Sequence, residues 1–182
     1  MQMLDSDKRF GLVTIVNHWL AALLIIGMLG LGLYMADLPK GEWKGQLFGI
    51  HKSFGILVLL LGAARIGWRL GNTWPEPLGV ARPWQLKAAR LLHLLLLAMM
   101  LALPLSGWAL SSAGDHPVSF FGLFTLPPLL MVDDALAELM SEVHETLAWT
   151  LIALLVLHAG AALRHHFLVH DATLKRMLGR LS

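Results

Sequence analysis

The sequence predicts an all-α fold: an integral membrane four-helix bundle with both termini in the cytoplasm. Three observations lead there. Of 182 residues, 57% are hydrophobic and only 14% are charged, against about a quarter charged in soluble domains. The charged residues leave four uninterrupted runs, Phe10 to Ala36, Ser53 to Ala64, Leu91 to Gly114 and Thr146 to Leu163. Lysine and arginine are shared unevenly among the segments between those runs.

A helix needs about 20 largely apolar residues to cross the hydrocarbon. The first run is long enough, and it is too long for a signal peptide and lacks a following small-residue cleavage site, so it is expected to stay in the mature protein. The second run is short; Leu47 to Ile50 and Ile66 to Leu70 extend it, with Lys52 and Arg65 snorkelling from its ends. The third contains Pro104, which should kink or loosen the helix, and the fourth carries two histidines. The expected spans are roughly 12–35, 47–70, 88–112 and 142–165, in one transmembrane domain covering 1–182. Trp43, Trp68, Trp74, Trp84 and Trp108 are expected at the interfaces.

Eleven of the fourteen cations fall in the N-terminal tail, the middle connection and the C-terminal segment, including Lys8, Arg9, Arg82 and Arg176. The opposite side has only Lys40, Lys44 and Lys52. By the positive-inside rule both termini are cytoplasmic. The net charge of +2 is thus a topology signal, with no nucleic-acid partner implied. The absence of cysteine excludes iron–sulfur clusters, thiolate zinc sites and covalent c-type haem attachment. The outer 111–141 segment, with Phe120, Phe121, Phe124 and Pro127-Pro128, should lie across the outer face as an apolar lid.

An imidazole in hydrocarbon is costly unless something coordinates or hydrogen-bonds it. His144 and His158 are fourteen residues apart, about 21 Å along a helix and within roughly 40° of the same face. Helix four therefore offers one ring near each membrane surface. His18 matches the inner level and His51 the outer, giving two bis-histidine sites, His18 with His158 and His51 with His144. Singly, each histidine reads as a hydrogen-bonded interfacial residue; four at two matched depths favour ligation. A b-type haem takes two axial imidazoles from facing helices, small neighbours and cations for its propionates. Ala22, Gly55, Ala148, Ala161 and Ala162 lie three or four residues after the histidines, and Arg65 and Arg69 stand at the inner level. His93 reads mainly as an interfacial residue that could neighbour a haem edge or a quinone, and His165, His166 and His170 as a solvated helix end.

The segments "NHWL" at 17–20, "GIHKSFG" at 49–55, "SEVHETLAW" at 141–149, "LHAGAALRHHF" at 157–167 and "FFGLFTLPP" at 120–128 resemble the bacterial di-haem cytochrome b561 proteins, over about residues 9 to 176. The resemblance implies two haem b groups held by the four histidines, and a place in the bacterial inner membrane. It also implies electron transfer between a periplasmic donor and the ubiquinone pool, one relative being a superoxide oxidase. Lys44 and Lys52 are donor-side candidates, since positive potential draws in a small anion. Against that, Asp133, Asp134, Glu138 and Glu142 could dock a basic redox protein. The rival reading is a haem-bearing anchor subunit that serves a partner dehydrogenase. A metal-ion carrier fits poorly, because no Asp or Glu lies inside the four apolar runs. Donor identity and oligomeric state stay open.

Overall fold

The computed structural model describes residues 2–7, 9–72, 75 and 82–180. Four long helices account for most of it: α1 (Leu12–Ala36), α2 (Glu42–Leu70), α3 (Pro83–Ala113) and α4 (Asp134–Arg164). All four are long and apolar enough to cross a membrane. Even the shortest, with 25 residues, spans about 37 Å. After α4 come a π-helical turn, His165–Val169, and a short helix α5, Thr173–Met177. Lys8 and Trp74, invoked above for topology and for the interface, lie outside the described residues.

Three helices begin earlier than the apolar spans, and their caps explain why. Asp133 accepts a hydrogen bond from the Leu136 amide at 2.8 Å, starting α4 at Asp134 in place of the expected 142. Pro83 opens α3, and the Arg82 amide donates to Gln85 Oε1 at 2.9 Å. Glu42 lies in the first turn of α2, where a carboxylate favours the positive end of the helix dipole. The extra turns are polar helix beyond the apolar spans. At α1 the chain caps itself: Asp5 accepts from the Gly11 amide at 2.6 Å and from Thr14 Oγ1 at 2.8 Å. A Cβ on Gly11 would stand 2.3 Å from the Met3 carbonyl oxygen, so only glycine permits this fold-back. The helix α3 runs through Pro104 unbroken.

Helix α1 packs on α2, α2 on α3 and α3 on α4, whereas the backbones of α1 and α2 stay apart from that of α4. The buried core joins Ala21 and Ile25 of α1, Val58 of α2, Met100 of α3 and Leu151 of α4. Ile25, Val58 and Leu151 each follow a histidine, His18, His51 and His144, by seven residues. The core is therefore a layer at mid-depth. Large apolar residues such as Leu23, Ile26, Leu60, Leu94, Val156 and Leu157 are exposed on the outside, the pattern of a surface solvated by lipid.

The 111–141 segment differs from a simple lid. Its ends belong to α3 and α4, and its middle is a hairpin of β1 (Val118–Phe120) and β2 (Phe124–Leu126), antiparallel with Ser119 opposite Thr125. The turn places Phe121 at φ 49° and Gly122 at φ 74°, leaving Phe121, Leu123 and Phe124 exposed. Ser53 of α2 pins the hairpin, accepting from the Phe121 amide at 3.0 Å and lying 3.0 Å from the Ser119 carbonyl. Of the expected belt residues, Trp43 and Trp84 are exposed. Trp108 donates to the Pro127 carbonyl at 3.1 Å, and Trp68 to Thr14 Oγ1 at 3.0 Å.

A Cβ on Gly62 would come within 3.1 Å of Met100 Cβ and 3.3 Å of its carbonyl oxygen, so this glycine sets the approach of α2 to α3. Gly62→Val is expected to destabilise the fold by about 1–3 kcal/mol through overpacking. Gly67→Ala, whose added Cβ meets nothing within 4 Å, should be neutral or stabilising by up to about 1 kcal/mol. Thermal unfolding followed by circular dichroism in detergent checks both.

Candidate functional site

The four helix histidines meet as two ring pairs. His18 on α1 and His158 on α4 have ring centroids 6.1 Å apart; His51 on α2 and His144 on α4 are 6.3 Å apart. Each pair bridges two helices whose backbones stand apart, leaving lateral room between the rings. One pair lies toward the hairpin surface and the other toward the surface bearing the termini. The mid-depth core layer separates them.

This spacing matches two axial ligands on one metal. A metal–nitrogen bond of about 2 Å and about 1.1 Å from nitrogen to ring centre, on each side, put coaxial imidazole centroids about 6.2 Å apart. Among the described residues, no group of three or more His, Asp or Glu side chains converges as a chelate. Each pair thus offers two facing imidazoles with no third chelating side chain among the described residues, which suits a macrocycle that carries its own equatorial nitrogens.

The hairpin-side pair shows a further sign of fit. His51 Nδ1 is buried with no hydrogen-bond partner among the described residues. Two glycines form a cradle for the rings: a Cβ on Gly32 of α1 would lie 3.3 Å from His51 Cε1, and one on Gly107 of α3 would lie 3.0 Å from His144 Cε1. Sequence periodicity points to small residues on the histidines' own helices, such as Gly55, but there the nearest atom to an added Cβ is Met28 Cε at 3.9 Å. Ser106 Oγ stands 2.9 Å from His144 Nδ1.

At the termini-side pair, Arg65 faces the ring itself. Its Nη2 lies 3.2 Å from His18 Nδ1 and its Nη1 3.5 Å from Asn17 Oδ1. A guanidinium only donates, so the His18 Nδ1 lone pair accepts here. Binding a metal through Nε2 requires that ring proton to move and Arg65 to turn away. Arg69 is half-buried one turn further along. His93 of α3, placed by sequence mainly at the interface, packs its ring edge-on to His158 with centroids 5.4 Å apart. Trp19 stands edge-on to His18 at 5.5 Å and donates to the Met177 carbonyl at 2.8 Å, tying α5 to the site.

Both donor-side lysines have backbone partners. Lys44 Nζ donates to the Leu38 and Ala36 carbonyls at 2.7 and 3.1 Å, closing the end of α1. Lys52 Nζ donates to the His116 and Pro117 carbonyls at 3.4 and 3.3 Å, near the hairpin. At the other surface, His165 Nδ1 and Asp171 Oδ2 are 2.5 Å apart, beside a cavity of about 230 Å³ lined by His166, Phe167, His170, Asp171 and Lys175. Burial would raise the Asp171 pKa, but hydrogen bonds from Thr173 and His165 outweigh it and hold the carboxyl below its usual range.

Residues 9–180 match the family described as prokaryotic cytochrome b561. The chain belongs to that family. It is 38% identical to cytochrome b561 homolog 2 of Escherichia coli K12, covering all of this chain and 97% of the relative. Identity to cytochrome b561 homolog 1 of the same strain is 34%, over 95% of this chain and 98% of the relative. The probable superoxide oxidase CybB of Yersinia pestis is 29% identical, over 94% and 96% of the two chains. With four apolar spans, this cytochrome b561 is a multi-pass protein of the bacterial inner membrane and an electron-transport oxidoreductase, and haem b binding follows from the family. The two imidazole pairs fit that group on the geometry above.

Because Gly107 meets the His144 ring so closely, Gly107→Val is expected to lower the haem bound per chain. Gly45→Val, at a position where an added Cβ meets nothing within 4 Å, should leave it unchanged. A pyridine haemochrome assay on each purified variant checks the contrast.

Proposed function

We propose that this cytochrome b561 holds two haem b groups, one between His18 and His158 and one between His51 and His144. It takes electrons from superoxide at the hairpin surface and delivers them to ubiquinone at the termini surface. The observation that carries this reading is the pair of ring spacings, 6.1 and 6.3 Å, in opposite halves of one bundle. The unequal sharing of eleven and three cations supports cytoplasmic termini and a periplasmic hairpin. When bound, haem b supplies one-electron iron chemistry.

The chain's own residues bind, space and steer. His18 with His158 and His51 with His144 would hold the two groups, each pair leaving no place on its iron for a small molecule. Ala21, Ile25, Val58, Met100 and Leu151 keep water out of the layer between the sites. Arg65 and Arg69 are the cations for propionates at the termini-side site, Arg65 after release from His18 Nδ1. Two superoxide anions, each oxidised to dioxygen by loss of one electron, supply the pair that one quinone takes up with two protons. The name of the Yersinia pestis relative supports superoxide as donor, and so do Lys44 and Lys52. Hydrogen bonding to carbonyls fixes their ammonium groups without neutralising them, so their field reaches an approaching anion.

A second reading has a specific observation behind it. Exposed Phe121, Leu123 and Phe124, with Asp133, Asp134, Glu138 and Glu142 at the start of α4, give the hairpin surface features that a protein donor could dock on. The chain would then serve as the haem-bearing anchor of a dehydrogenase or accept electrons from a periplasmic redox protein.

Stopped-flow haem reduction by superoxide separates the two. Under the first reading Lys44→Gln with Lys52→Gln slows reduction about tenfold at low salt, leaving the haem spectra intact because neither lysine belongs to an imidazole pair. The wild-type rate falls with salt, since the Debye length is about 10 Å at 0.1 M. A rate indifferent to both puts the protein donor first. In redox titrations His18→Ala is expected to lose the same component as His158→Ala, and His51→Ala the same as His144→Ala. Loss of one component in His18→Ala and His144→Ala would break the pairing.

A further inference from the structure

The environment of His144 differs from that of the other ligand candidates in its hydrogen-bond acceptors, the Ser106 hydroxyl and the Leu103 carbonyl. Ser106 is buried, and its hydroxyl has a single proton to give. The Leu103 carbonyl lies 2.8 Å from Ser106 Oγ and takes that proton. Toward His144 Nδ1, 2.9 Å away, the oxygen is left only as an acceptor. His144 therefore carries its proton on Nδ1 and presents the Nε2 lone pair on the other side of the ring. Glycine at 107 admits this approach, since an added Cβ would sit 3.3 Å from His144 Nδ1. Among the described residues His18 Nδ1 instead faces the Arg65 donor, and His51 Nδ1 has no partner.

We infer that Ser106 is a positioning residue for the hairpin-side haem, fixing the His144 tautomer and lowering the midpoint potential of the iron held there. The inference rests on His144 being a haem ligand. An acceptor on the distal ring nitrogen raises the basicity of the ligating one. A more basic ligand stabilises ferric over ferrous iron, and second-shell hydrogen bonding of this kind is one of the protein's levers on haem potential. Among the described residues no equivalent serine faces the other pair, where His18 Nδ1 meets the Arg65 donor, so the effect is confined to one site.

The test is an anaerobic redox titration of the purified holoprotein carrying Ser106→Ala or Ser106→Thr, followed in the haem absorption bands. The hairpin-side component is identified as the one lost in His144→Ala. In Ser106→Ala that component should favour the reduced form by about tenfold more than wild type, a rise of about 59 mV for one electron. The other component should not move, and Ser106→Thr, which keeps a hydroxyl, should restore the wild-type value. Loss of the hairpin-side haem in Ser106→Ala with retention in Ser106→Thr supports the same role. Unchanged potentials with full haem content, equal movement of both components, or loss of the haem in both variants would overturn it. Failure of His144→Ala to remove any haem would instead sink the ligand assignment on which the inference stands.

Discussion

An imidazole inside an apolar helix bundle must be ligated or hydrogen-bonded, and α4 carries two of them fourteen residues apart. That demand organises the molecule. Each ring of α4 is met by a ring from a different helix, His158 by one from α1 and His144 by one from α2, at the spacing of two ligands on one metal. The backbones of α1 and α2 stay back from α4, and α3 supplies the direct packing that holds α4 in place. Close packing of all four helices would abolish the room between the rings. The bundle instead packs along α1–α2–α3–α4, and the histidines face each other where the backbones stand apart.

The two ends of the bundle are built differently. At the termini surface, Arg65 reaches a histidine ring, Trp68 ties to Thr14, and α5 folds back onto Trp19. Positive charge there is placed against the site. At the hairpin surface the lysines bind backbone carbonyls, and serine hydroxyls do the positioning: Ser53 for the hairpin, Ser106 for His144. Neutral hydroxyls hold geometry without adding charge, so any steering of an anion falls to the lysines of that side, Lys40, Lys44 and Lys52. The asymmetry suits a protein that receives electrons on one side and releases them on the other.

Much of this architecture is legible in the sequence, because its strongest signals are local. Four charge-free runs give four apolar helices, and a fourteen-residue interval on one helix gives two levels. The depth of His18 and His51 follows from counting crossings. What periodicity cannot supply is the identity of neighbours from another helix. Gly32 and Gly107 approach the rings, and each lies fourteen residues after a histidine on its own helix, His18 and His93, but that interval gives their depth and not which ring they meet. Ser106 follows Pro104 in an apolar stretch and gives no signal of its own, and His93 acquires its place beside His158 only through the packing of α3 on α4. Helix starts at Glu42, Pro83 and Asp134 were equally hidden, since hydropathy marks where hydrocarbon begins and caps mark where helix begins. The hairpin was hidden for a similar reason: β1 and β2 are three-residue strands, too short for alternation to show.

The central claim is that each imidazole pair holds one haem with both axial positions filled by the protein. Haem stoichiometry of the purified protein, measured by pyridine haemochrome against quantitative amino-acid analysis and paired with an optical spectrum in each oxidation state, tests it most directly. The account predicts two non-covalent haem b per chain, low-spin both oxidised and reduced. A single haem per chain, or a high-spin fraction comparable to the low-spin one, would contradict it.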